Sequence, residues 1–203
     1  MTLRALARLA LTRFVLAALV LSAGVAACTH PPEAVLGGTN LHNTVAPEFV
    51  LTDQHRRPFD LAAQHGREVV LFFGYTHCPD VCPTTLAALA RARSSLGAAR
   101  DRVVVAFVTV DPARDGPARM LAYVRLFDPQ FVGLTAPERQ LDPVLSAYHV
   151  WHQRLAARSG VAGYVMAHGS NVYFIDPQGN LRTIHDFGDP SSALAADMKA
   201  LLT

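Results

Sequence analysis

The chain of 203 residues has only three cysteines and almost no excess charge. Its 18 basic and 16 acidic side chains give a net charge of +2, and no lysine or arginine cluster is interleaved with aromatic residues. This balance argues against nucleic-acid binding. Three cysteines are too few for a disulfide scaffold, and a chain of this length can build a hydrophobic core without one.

Several common catalytic signatures are also missing from the sequence. There is no Gly-rich phosphate loop, no Ser-centred nucleophile elbow and no paired-carboxylate motif. The chemistry that remains is that of the cysteines and histidines.

The first 27 residues have the layout of a secretory signal. Three arginines precede an uncharged run from Phe14 to Ala27. The run ends in Val-Ala-Ala-Cys, which resembles a bacterial lipobox, a signal in which the peptide is cut before the cysteine and the cysteine then carries lipid. We therefore predict a signal peptide over residues 1–27 and lipidation at Cys28.

An uncleaved transmembrane anchor is the alternative, because counting from Leu9 brings the apolar run near the roughly 20 residues that a span needs. Both interpretations tether the rest of the chain to a bacterial membrane on the exported side. Without the three arginines of the leader, 15 basic residues face 16 acidic ones, so the exported part is nearly neutral.

After the leader, residues 28–45 are rich in Pro, Gly, Thr and Asn, which predicts a flexible tether. From residue 46 to residue 203 the pattern alternates strands with helices. The apolar runs Val69–Tyr75 and Val103–Val110 predict strands covered on both faces. Amphipathic segments predict helices at Pro83–Leu96, Pro117–Phe127, Pro137–Tyr148 and Ser191–Leu202.

Two short segments, Val172–Ile175 and Leu181–Ile184, flank a polar turn and predict a C-terminal β-hairpin. The whole pattern predicts an α/β domain in which a mixed sheet is flanked by helices.

Cys78 and Cys82 lie directly after the first buried strand, at the sheet edge where α/β proteins bind ligands. Pro83 suits the first helical position, which predicts Cys82 at the helix cap, where the positive helix end stabilises thiolate. Residues i and i+4 lie about 6 Å apart along a helix, which suits a disulfide or two sulfurs on one soft ion. The spacing therefore leaves a disulfide, a redox pair and a metal site open.

The motifs around these cysteines are more specific than their spacing. The run FGYTHCPDVCP resembles the signature of the SCO/SenC family of copper-binding, thioredoxin-like proteins. Four further blocks are similar to the family and follow in the same order: Val110–Asp115 (an Asp-Pro-x-x-Asp segment), Val132–Thr135, Tyr148–Val150 and Ala167–Ser170. The similarity extends from about Ala46 to the C-terminus.

The resemblance implies a thioredoxin-like fold and a copper ion, Cu(I) or Cu(II), held by Cys78, Cys82 and His168. Thiolates favour Cu(I), while imidazole accepts both oxidation states. It also implies a metallochaperone whose client is the binuclear copper centre in subunit II of cytochrome c oxidase.

Other functions use the same residues. Cys78 and Cys82 could act without metal as the redox pair of a thiol-disulfide oxidoreductase or thiol peroxidase, or the chain could be a copper or redox sensor. Thioredoxins usually carry a proline before the strand that corresponds to the one following His168. No proline lies between Ala162 and Asp176, which argues against a general disulfide reductase.

Five other residues have simpler expected roles. We expect Asp115 to cap the helix that begins at Pro117, and Asp111 to fix the preceding turn. His77 should point away from Cys78. His149 and His152 should lie on opposite faces of a strand-like segment.

Overall fold

The computed structural model describes residues 35–156 and 163–202. The predicted signal peptide, Cys28 and the first part of the predicted tether lie outside these residues. Within them, no helix is long and apolar enough to cross a membrane.

The described residues form ten strands, of which eight build one sheet and two a separate pair. The strands are β1 (Thr39–Val45), β2 (Val50–Asp53), β3 (Pro58–Asp60), β4 (Glu68–Gly74), β5 (Val103–Thr109), β6 (Val132–Thr135), β7 (His152–Ala156), β8 (Tyr164–His168), β9 (Val172–Ile175) and β10 (Asn180–His185). The main sheet has the order β1-β10-β9-β4-β5-β6-β2-β3. Strands β4, β5 and β6 are parallel, and the other pairs are antiparallel.

The helices of the described residues follow the prediction within a few residues at each end. They are α1 (Val81–Ser95), α2 (Pro117–Val124), α3 (Glu138–Ala147) and α4 (Ser191–Leu201), with 3-10 turns at Ala62–Gln64 and Gly97–Arg102. Helix α1 packs on α4, and α2 packs on β6. The mixed α/β sheet flanked by helices is confirmed, and so is the C-terminal hairpin, formed by β9 and β10.

The centre of the core lies on β4 and β5. Every residue of these two strands is buried, and the fully buried aromatic rings include Phe72, Phe73 and Phe107. Successive side chains of a strand point to opposite faces of the sheet, so complete burial means that both faces are covered by protein, as continuous apolar runs predict.

The predicted tether over residues 28–45 is wrong in its last part, because Thr39–Val45 forms β1 and pairs with β10 at the sheet edge. The N–H group of Gly37 also donates to the carboxylate of Asp197 at 2.9 Å. A polar edge strand gains its stability from backbone hydrogen bonds to its neighbour, so its composition resembles that of a linker.

Candidate metal centre

Three side chains that could hold a metal ion meet beyond the end of β4. The sulfurs of Cys78 and Cys82 and a ring nitrogen of His168 all lie within 4.8 Å of one another. Cys82 Sγ is 3.7 Å from His168 Nε2, although the two residues are 86 positions apart. In the part of the chain that the structure describes, no other group of three His, Cys, Asp or Glu side chains is so arranged.

The two cysteines lie at the N-terminal end of α1. The helix begins at Val81 with Asp80 as its cap, so Cys82 is the second helical residue and the prediction of Cys82 at the cap is wrong. Pro83 is then the third residue of the helix. The N–H groups of the first helical residues have no partner within the helix, so a proline there costs no hydrogen bond. The Cys82 N–H group donates to Cys78 Sγ at 3.4 Å, which places the Cys78 sulfur at the positive helix end.

Cys78 and Cys82 are free of disulfides, and the pKa values of their thiols shift in opposite directions. A hydrogen bond from the Cys82 thiol, helped by the nearby His168 side chain and by the N–H groups of Cys82 and Asp80, lowers the pKa of Cys78 to about 4 against the effect of burial. The same bond and complete burial raise the pKa of Cys82. Without metal, the pair therefore holds one thiolate and one thiol, and a metal ion bound by both sulfurs would displace the Cys82 proton.

His168 is the last residue of β8, and its ring is oriented by the backbone of the next residue. Its Nδ1 lies 2.6 Å from the carbonyl oxygen of Gly169. A carbonyl can only accept, so Nδ1 carries a proton, and in the neutral imidazole Nε2 then presents its lone pair towards Cys82. The ring of Tyr75 packs edge-on against the imidazole, with centroids 5.7 Å apart. This is the tautomer that a metal-binding Nε2 requires.

Gly74 leaves room for the buried sulfur. A Cβ atom at this position would lie 2.7 Å from Cys82 Sγ and 2.7 Å from the ring of Phe107. The glycine of the FGYTHC run therefore permits the close approach of α1 to the end of β4.

The expected helix-capping role of Asp115 is wrong. Helix α2 has Gly116 at its cap, with no side-chain cap hydrogen bond. The Asp115 carboxylate is wholly buried and accepts hydrogen bonds from Thr76 and Thr109. Sequence reasoning could not find the contact with Thr76, because that residue lies 39 positions away.

Asp111 does more than fix its own turn. Its carboxylate accepts a hydrogen bond from the Tyr164 hydroxyl at 2.6 Å and pairs with the guanidinium of Arg114. Tyr164 begins β8, the strand that carries His168. The sequence offers no signal for this contact across 53 positions.

The nearby histidines lie outside the group of three. His77 Nδ1 lies 3.2 Å from Thr76 Oγ1, and its ring is 43% exposed. His149 is an exposed residue with a positive φ of 55°. His152 is the register partner of His168 across β7 and β8, so both lie on one face of that hairpin, a pairing that sequence reasoning missed.

Comparison with known proteins identifies the family. The SCO1/SenC family model matches residues 37–203. An SCO2-like protein of Rickettsia conorii is 30% identical over 152 residues, which cover 73% of this chain and 74% of the relative.

Solved structures agree with this match. ScoI of Bradyrhizobium japonicum, determined with copper bound, shares 33% identity and a TM-score of 0.71 over 78% of this chain and 100% of its own. Apo Sco1 of Thermus thermophilus shares 34% identity and a TM-score of 0.74 over 83% of this chain and 98% of its own. The structure of BsSco, which is 18% identical to this chain, is that of a member of the Sco family of cytochrome c oxidase assembly proteins. The chain belongs to the SCO1/SenC family and has its thioredoxin-like fold.

Proposed function

We propose that this chain is a copper metallochaperone that binds one copper ion through Cys78, Cys82 and His168 and passes it on during cytochrome c oxidase assembly. The observation that carries the proposal is the convergence of two sulfurs and one imidazole nitrogen within 4.8 Å. Family membership supports copper as the metal, since a relative with 33% identity has been solved with copper bound.

The donor set suits copper in both oxidation states. Two thiolates with a neutral imidazole make a Cu(II) site electrically neutral and leave one negative charge on a Cu(I) site. Cys82 is buried, whereas Cys78 and His168 are partly exposed. A copper ion held there would be reachable from solvent on the Cys78 and His168 side. That access is what exchange with a client thiolate needs.

The direct test is a copper titration of the reduced full-length chain in detergent. We expect one Cu(I) per chain, measured by competition with a Cu(I) chelator, and thiolate-to-metal charge-transfer absorption with Cu(II). Cys78→Ser and Cys82→Ser should each abolish stoichiometric binding, because serine is a poor ligand for a soft ion. Cys28→Ser is the matched control and should bind like the wild type. Stoichiometric binding in Cys82→Ser would contradict the proposal.

The client in this proposal is the binuclear copper centre of cytochrome c oxidase subunit II. Mixing the copper-loaded chain with the metal-free copper domain of subunit II tests it, with the metal on each protein measured by native mass spectrometry. Transfer to that domain, and not to a variant lacking its metal-binding cysteines, is the expected result. Copper that moves to a chelator but never to the domain would exclude this client.

A second candidate function is thiol-disulfide exchange, favoured by the lowered pKa of Cys78. The Cys78 thiolate would attack a client disulfide, form a mixed disulfide and release one client thiolate. Cys82, after losing its proton, would then attack Cys78, form the intramolecular disulfide and release the second client thiolate. The client gains two electrons and the chain loses two, so a further thiol reductant must restore Cys78 and Cys82.

The proposal includes a lipid anchor at Cys28, which holds the domain on the exported side of a bacterial membrane. It is supported by the arginines and the apolar run before the Val-Ala-Ala-Cys sequence. Mass spectrometry of the protein purified from bacterial membranes should show a chain that begins with acylated Cys28. The Cys28→Ser variant should lack this species. A wild-type mass that retains residues 1–27 would instead identify an uncleaved anchor.

A further inference from the structure

The three proposed ligands come from two parts of the fold that share no strand pairing. Cys78 and Cys82 lie between β4 and α1, whereas His168 lies on β8, which pairs only with β7 in the described residues. The hydrogen bonds of the main sheet therefore do not fix His168 relative to the cysteines. Other contacts must set the separation between the imidazole and the sulfurs. The edge-on packing of Tyr75 against His168 is one of them, and the aspartate loop (residues 111–115) provides others.

Asp115, the last residue of the aspartate loop, holds the cysteine segment in place. Asp115 accepts hydrogen bonds from the Thr76 N–H at 2.9 Å, the Thr76 hydroxyl at 2.6 Å and the Thr109 hydroxyl at 2.7 Å. Arg119 donates to the Thr76 hydroxyl oxygen at 3.0 Å. Thr76 lies two residues before Cys78, so these bonds tie the start of the cysteine segment to the end of β5. Charge-assisted bonds to a buried carboxylate are among the stronger hydrogen bonds in proteins.

Asp111 and Arg114, in the same loop, hold the strand that carries His168. The Tyr164 hydroxyl donates to Asp111 at 2.6 Å, and Arg114 donates to the Tyr164 carbonyl oxygen at 2.9 Å. The guanidinium of Arg114 also lies 3.7 Å from the centroid of the Tyr164 ring. Both the side chain and the backbone of β8 are thereby attached to the loop, four residues before His168.

The two ends are joined by a short turn. The carbonyl oxygen of Asp111 accepts the N–H groups of Arg114 and Asp115 at 3.1 and 3.0 Å. The Asp111 N–H group donates to Thr109 Oγ1 at 2.9 Å. Asp111 and Asp115 are 1% and 0% exposed, so their carboxylates sit in a low dielectric that strengthens these bonds.

We infer that Asp115 and Asp111 are positioning residues of the copper centre: they hold the cysteine segment and the His168 strand at the separation that lets all three ligands reach one ion. The inference rests on the proposed copper function. Loss of an outer-shell partner typically lowers metal affinity about 10–100-fold, and we expect a loss in this range for Asp115→Asn. Tyr164→Phe, which removes one hydroxyl, should lower affinity about tenfold.

The experiment compares these variants in the full-length chain in detergent. Three quantities are measured: Cu(I) affinity by chelator competition, the Cu(II)–thiolate charge-transfer spectrum, and the imidazole NMR signals of His168 without metal. Asp115→Asn should move the charge-transfer band. Tyr164→Phe should broaden or split the His168 signals, because β8 loses one of its attachments.

Asp197→Asn is the matched control. Its carboxylate is 3% exposed and hydrogen-bonds to Gly37 and His185. It should lower stability while leaving copper affinity and both spectra unchanged. Equal losses in all three variants would reduce the role of the aspartate loop to general stability and overturn the inference.

The remaining outcomes are also decisive. Wild-type affinity and spectra in Asp115→Asn and Tyr164→Phe would overturn the inference even if copper binding itself is confirmed. If Asp115→Asn fails to fold, Tyr164→Phe alone decides, since it keeps the carboxylate and the aromatic ring. If the wild type binds no copper, the proposed function is wrong, and the metal-free His168 signals still show whether the loop holds that strand.

Discussion

Replacing His168 with alanine is expected to lower copper affinity more than 100-fold while thiol-disulfide exchange by Cys78 and Cys82 continues. The loss should exceed the roughly 10–100-fold cost of removing an outer-shell partner, because one of three proposed ligands disappears. Disulfide exchange needs only the two sulfurs, and the largest cause of the low Cys78 pKa is the Cys82 thiol, which the variant retains.

Two measurements on the same preparations separate these effects. Cu(I) affinity is measured by chelator competition, and exchange is measured as the rate at which a model disulfide is reduced by the dithiol form. His77→Ala is the matched control, because His77 lies one residue from Cys78 but outside the group of three donor side chains. It should leave copper affinity within a few-fold of the wild type.

The outcome also decides between the two candidate functions. Copper affinity that falls in His168→Ala together with failed delivery to a client supports the metallochaperone. Unchanged copper affinity would remove His168 from the proposed site. If the client protein became fully active with the His168→Ala variant, thiol-disulfide exchange would be favoured as the main function.

The sequence predicted the buried half of the fold well and the exposed half less well. Apart from Glu68 and Thr109 at their ends, strands β4 and β5 are continuous apolar runs, a pattern typical of burial on both faces. Strand β1 is polar and lies at the sheet edge, and its pairing with β10 spans most of the chain, so composition alone predicted a tether. Strand β8 was missed because its half-buried residues show no long apolar run.

The proposed site shows the same division. Cys78, Cys82 and His168 were named from motifs, and the structure brings them together. The contacts that surround them depend on tertiary structure: Asp115 was expected to cap a helix and instead binds Thr76. Local hydrogen bonding is a good guide for an exposed aspartate, but a wholly buried carboxylate must find donors wherever the fold supplies them.

Gly74→Ala is expected to damage both stability and copper binding, although it adds a single methyl group. The added Cβ would lie 2.7 Å from Cys82 Sγ and 2.7 Å from the Phe107 ring, well inside van der Waals contact. Neither neighbour can yield easily, since both side chains are completely buried and the Phe107 ring packs against Phe72 and Tyr123. Overpacking of this kind costs about 1–3 kcal/mol.

The clash should also move the Cys82 sulfur away from His168, so we expect copper affinity to fall at least about tenfold, as for other changes that displace a ligand. Stability is measured by urea unfolding of the reduced, metal-free protein and affinity by chelator competition. Gly37→Ala is the matched control: its Cβ would meet the Asp197 carboxylate at 3.7 Å, an ordinary contact. It should change stability by less than about 0.5 kcal/mol and leave copper affinity unchanged.

The pair of alanine variants tests the position of the buried sulfur independently of any ligand substitution. A Gly74→Ala protein with wild-type stability and copper affinity would mean that Cys82 does not lie against Gly74. Lost stability with retained affinity would mean that the sulfur and His168 move together. Loss of both, with Gly37→Ala unaffected, is the result expected if α1 must approach the end of β4 this closely for Cys82 to reach the same ion as His168.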